Sequence, residues 1–111
     1  MSDFIDLAGS SGGSYRFQRI DDPATLPAIA GNFVYVRGEG EGLVVVCAGT
    51  DETLAKAGRR WAEAVRDHQA EAMFIRKNVS RKSRELEHRD IVEQRHPPMD
   101  AGENFDGRGS K

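Results

Sequence analysis

The chain has 111 residues, with 16 Lys and Arg against 18 Asp and Glu and a formal net charge of −2. That length supports one domain with a modest core, and the near-balance of charge excludes a uniformly basic nucleic-acid coat while leaving room for a local basic patch. A single cysteine, Cys47, excludes an intrachain disulfide and a cysteine-based zinc site, and no apolar run is long enough to cross a membrane.

The first residues, Met1 to Asp6, lack the basic start and apolar stretch of a secretory signal, so the expected compartment is a reducing cytoplasm. Residues 1–14 are expected to be a flexible tail, because Ser10-Ser11-Gly12-Gly13-Ser14 has little apolar surface to offset the entropy of ordering. Tyr15 to Ile20 alternates apolar and polar residues, the pattern of a half-buried strand, and Asp21-Asp22-Pro23 ends it. Leu26 to Gly31 is an apolar lead-in. Phe33–Arg37 and Leu43–Cys47 are rich in β-branched and aromatic residues, and Gly38-Glu39-Gly40-Glu41-Gly42 between them predicts a hairpin turn. The glycine spacing does not fit a dinucleotide fingerprint, and a strand follows it in place of a helix.

Thr50-Asp51-Glu52 predicts a helix start, with Leu54, Gly58, Trp61 and Val65 as its buried stripe. Ala72–Arg76 predicts a short strand. Ser80 caps a second, very polar helix with a thin apolar face of Leu86, Ile91 and Val92, which stops before Pro97-Pro98. Residues 101–111 are polar and glycine-bearing and are expected to be a disordered tail. The expected fold is a small α/β (α+β) domain over residues 15–100, a short antiparallel sheet flanked by helices.

In order and spacing, Gly31-Asn32-Phe33, Cys47-Ala48-Gly49, His88-Arg89-Asp90-Ile91-Val92 and Pro97-Pro98-Met99-Asp100 resemble the GIY-YIG nuclease domain over residues 27–100. The resemblance implies a glutamate that holds a divalent metal, tyrosines beside the water, and an arginine on the phosphate. Here the tyrosine positions carry Phe33 and Cys47, the glutamate position carries His88, and the arginine falls at about Ala57. Phenylalanine has no proton to move, alanine cannot hold a phosphate, and imidazole is a poor ligand for a hard cation. Cys47 lies late in an apolar strand, where thiols are buried and inert.

The resemblance therefore implies a degenerate, catalytically inactive binding or regulatory module, with Phe33, Cys47, Ala57 and His88 lining the former groove. Its partner would be DNA, RNA or a protein. Arg59, Arg60, Arg76, Lys77, Arg81, Lys82 and Arg84 are the candidate nucleic-acid contacts. A salt-bridged helix surface is the plainer account of that basic run, because Glu85, Glu87, Asp90 and Glu93 interleave with it. Two alternatives stand beside this reading. One is a divergent Mg²⁺- or Mn²⁺-dependent endonuclease in which Tyr35, Glu87, Arg59 and Arg60 take over from shifted positions; without it no cofactor or metal site is expected. The other is a protein-interaction domain unrelated to nucleases. His68, His88 and His96 have no metal-ligand spacing and read as surface residues, and Trp61 reads as core.

Overall fold

The structure is a computed structural model and describes residues 3–103. Its elements are β1 (Phe4–Ala8), β2 (Ser14–Ile20), β3 (Gly31–Arg37), β4 (Val44–Asp51), α1 (Trp61–His68), β5 (Ala72–Lys77), α2 (Arg81–Arg95) and β6 (Met99–Ala101). They build one sheet in the spatial order β1-β2-β5-β3-β4-β6. All pairings are antiparallel except that of β6 with β4. The α+β class holds, with a wider and mixed sheet.

β3 lies between β4 and β5, and Gly31 through Val36 are all buried. Side chains alternate across a strand, so β3 feeds two cores. Phe33 and Tyr35 pack toward α1 with Leu54, Ala57 and Ala64. Val34 and Val36 pack on the other face with Leu7, Phe17, Phe74 and Ile91 of α2. A strand covered on both sides needs apolar residues at every position, which explains the unbroken Phe-Val-Tyr-Val run. The register slips between Tyr35 and Val36, so that Val45 follows Cys47 in the pairing and Val46 is the extra residue. This bulge sends both Val46 and Cys47 to the α1 side.

The two glycines of the motif regions have packing roles. Gly49 sits opposite Phe33 in the β3–β4 ladder, and a Cβ there would collide with the Phe33 ring. A Cβ on Gly31 would collide with the Arg76 carbonyl and the Leu54 side chain.

Four expectations are corrected. Residues 4–8, placed in a flexible tail, form β1, because Leu7 is fully buried on the α2 side and the Ser10–Gly13 turn is bonded to α2. Thr50 and Asp51 do not start a helix; they extend β4 opposite Gly31 and Asn32. Thr53 caps a single 3₁₀ turn, Leu54–Lys56, and α1 begins at Trp61 with Ala64 buried and Val65 exposed. On α2, Leu86 is exposed, and Arg84, His88 and Ile91 form the buried face. The ordered chain continues past residue 100 through β6 to Glu103; the rest of the expected C-terminal tail lies outside the described residues. The hairpin turn, the Ser80 cap and the stop of α2 before Pro97 are found as the sequence predicts. β1 is an edge strand with nothing paired beyond it among the described residues.

Gly49→Ala is expected to lower stability by about 1–3 kcal/mol in urea unfolding, because the Phe33 ring has no room to retreat within the core. Gly42→Ala, with nothing within 4 Å of the added carbon, is the near-neutral control.

Candidate functional site

The positions named by the resemblance divide between the two faces of the sheet. On the α1 face, Phe33, Tyr35, Cys47 and Ala57 are buried in one packed cluster. Trp61 meets the Tyr35 ring edge-on at 5.2 Å, and the Phe33 and Tyr35 rings lie 5.5 Å apart. The Tyr35 hydroxyl donates to the Ala57 carbonyl oxygen. Burial, and next the adjacent Cys47, push the Tyr35 phenol up to about 12. Burial pushes the Cys47 thiol up to about 12 as well. Both groups are therefore held neutral and dry, and neither is suited to activate water at neutral pH. The groove expected between Phe33, Cys47, Ala57 and His88 is not formed: the first three fill a core, and His88 lies on the other face.

Arg59 and Arg60, the expected phosphate ligands nearby, turn outward. Arg59 donates to Asp51 at 3.0 Å, and Arg60 makes a two-pronged pair with Glu63 at 3.1 and 3.0 Å. The Arg60–Glu63 pair is exposed and contributes little to stability, whereas Asp51 is itself buried.

Beneath α2 the polar residues form a bonded layer. Arg84, whose side chain is 4% exposed, grips Glu103 at 2.8 and 3.1 Å and also donates to the carbonyls of Asn78 and Val79. The Glu103 amide donates to Thr50 Oγ1, and Asn32 Nδ2 donates to the Arg84 carbonyl. Glu87 accepts from Arg76 at 2.7 Å, from Asn78 at 3.0 Å and from Ser83. His88 Nε2 lies 2.8 Å from Asp100 Oδ1, which also accepts from the Gly102 amide at 3.0 Å. Asp90 accepts from Tyr15, from the Ser10 hydroxyl, and from the Ser11 amide and hydroxyl. Those bonds, Ser11 foremost and then Tyr15, pull its carboxyl down to about 2.

The replacement set Tyr35, Glu87, Arg59 and Arg60 is therefore not brought together. Tyr35 points into the α1 core while Glu87 is held by β5 and the start of α2 on the opposite side. Among the described residues, no group of three or more His, Cys, Asp or Glu is placed to hold a metal. His88, expected on the helix surface, is buried and bonded to Asp100. His68 ends α1, where its carbonyl accepts from Arg37, and His96 caps α2 in the left-handed region.

The basic run also sorts by environment. Arg84 is enclosed and Arg76 is engaged by Glu87, which takes both off the list of open contacts. Lys77, Arg81 and Lys82 are exposed at the junction of β5 and α2. Sequence reasoning missed Asp90 as the residue that fastens the β1–β2 turn; its place in the His88–Val92 motif was visible, but its partners are 75 or more residues away. Comparison with family models, with curated proteins and with solved structures finds no match for this chain.

Arg84→Ala is expected to cost about 3 kcal/mol in chemical denaturation, since it leaves the Glu103 carboxylate and two carbonyls without their donor. In native protein, Cys47 is expected to react with a thiol-specific disulfide reagent only at the rate of unfolding, and at once in denaturant; immediate labelling of folded protein would show that the strand is open to water.

Proposed function

We propose that the chain is a non-catalytic binding module, GIY-YIG-like in its motif pattern, that holds a nucleic-acid backbone at the β5–α2 junction. The observation that carries this reading is the first turn of α2. Arg81 and Lys82 occupy it and no acid does. A helix N-terminus is the positive end of the macrodipole, so cations there oppose folding of the helix. A phosphate bound at that end reverses the account, because the dipole and both cations then act on one anion. Lys77, at the end of β5, extends the same cationic patch. The non-catalytic half of the reading is supported by the fate of the reactive positions: each is spent on packing or on an internal bond, and among the described residues no cluster of oxygen ligands stands in their place.

Fluorescence anisotropy at low salt tests it. Labelled DNA and RNA are expected to bind with an affinity that falls as salt rises, with a log–log slope of about −2 to −3 for three cationic contacts. Combining Lys77→Glu, Arg81→Glu and Lys82→Glu is expected to lower affinity at least ~10-fold. The same variant is expected to melt at a slightly higher temperature, because acids suit the first turn. Unchanged affinity in the triple variant overturns the nucleic-acid contact. Cutting of nicked, branched or single-stranded DNA that requires Mg²⁺ or Mn²⁺ overturns the non-catalytic assignment.

A further inference from the structure

The sheet face that α2 covers continues past the helix as a cavity of about 140 Å³, with no α2 residue in its lining. Val36, Ala72 and Phe74, buried members of that core, form its floor, and Ile5 and Leu43 stand half-buried at its sides. The β3–β4 turn closes one wall. Gly38 and Gly40 take left-handed φ values of 75° and 59° there and bring no side chain into the space. Glu71 holds the turn in place. Its carboxylate accepts from the Gly38 amide at 2.9 Å, and its own amide donates to the Val36 carbonyl at 2.7 Å. Arg19 closes the β2 side. Its guanidinium lies 6.0 Å from the centroid of the Phe74 ring and donates to Asp21 at 2.6 Å. Arg19 is thus already engaged, and it shapes the cavity as a wall.

We propose that this cavity binds a small organic cation: one ring, or a branched alkyl group of similar size, that carries a protonated amine. The volume sets the size, since a dry apolar cavity of about 150 Å³ accommodates benzene. A concave, apolar, pre-formed space with a few polar groups at its rim is the usual form of a small-molecule site. The rim sets the sign of the charge. Among the described residues Arg19 is the one cation in the lining, and Asp21 answers it. The Glu39 and Glu71 carboxylates of the lining have no second cation to balance them there. An ammonium at the mouth meets these acids while its apolar end displaces water from the floor. An anion meets the same acids as repulsion, which sets this site apart from the cationic patch around Lys77 at the other end of β5.

The test titrates the isotope-labelled whole chain with benzylammonium, and with benzyl alcohol and benzoate as its neutral and anionic counterparts, and follows the backbone amide resonances. Benzylammonium is expected to shift the amides of Gly38, Leu43, Ala72 and Phe74 and to saturate. Benzyl alcohol is expected to bind at the same place about threefold more weakly, and benzoate more weakly still. Glu39→Gln is expected to lower the benzylammonium affinity about threefold and to leave that of benzyl alcohol unchanged. Glu39 is exposed on the turn, so this variant is expected to keep the parent spectrum elsewhere. Ala72→Leu, which fills the floor, is expected to lose all the probes, with circular dichroism as the check on its fold. No saturable shift in those resonances with any probe overturns the cavity as a binding site. Equal binding of benzylammonium and benzoate, or a Glu39→Gln variant that holds benzylammonium as tightly as the parent does, overturns the cationic assignment.

Discussion

The covering of β3 on both faces is the constraint on which the rest of the molecule depends. A strand with water on neither side can carry a polar atom only where the fold supplies a partner, since an unbonded buried polar group costs on the order of 1–3 kcal/mol. The two polar side chains of its buried stretch obey that rule. The Tyr35 hydroxyl finds the Ala57 carbonyl, and the Asn32 amide finds the Arg84 carbonyl and receives a bond from Asn78. The same constraint accounts for Phe33. Its ring lies against Gly49 so closely that there is no room for a methyl group on that residue.

α2 solves a different problem. It has few apolar residues to bury, and Ile91 is the one that is almost fully enclosed. Its inner face is instead satisfied by bonds to four separate parts of the chain: Glu87 to β5, Arg84 to the C-terminal arm, the Arg84 carbonyl to β3, and Asp90 to the β1–β2 turn. Glu87, one of the candidate site residues, is thus among those that fasten this helix. A buried ion pair is weak evidence of stability gained over an apolar contact, but it does fix one register and orientation of the helix.

The parts of this fold legible in the sequence were those with a local cause. Gly38 to Gly42 forms the turn because three glycines in five residues separate two β-rich runs, and Ser80 caps α2 because its side chain accepts from the Ser83 amide. The burial of Cys47 followed from its place in an apolar strand. What was not legible has a distant cause. Phe4–Ala8 is ordered by α2 and β2, and nothing in five residues announces that. Thr50-Asp51-Glu52 carries a good capping pattern, but the ladder to Gly31 and Asn32 outbids it and the helix starts ten residues later. Of the candidate site, the residue types were visible and their faces were not: a sheet stands between Tyr35 and Glu87, and linear spacing contains no record of it.

Among the described residues nothing pairs beyond β1, and its middle residue bears on what the molecule does at high concentration. In an antiparallel ladder alternate residues turn their amide and carbonyl groups outward, and at a free edge these are a template for another strand. The natural mate is a second β1, related by a twofold axis through Asp6. That arrangement would set two carboxylates directly opposite each other, a disfavoured cross-strand pair. Asp6 therefore disfavours that pairing, and Arg16 of β2, which holds its carboxylate from the inner side, offsets part of the repulsion.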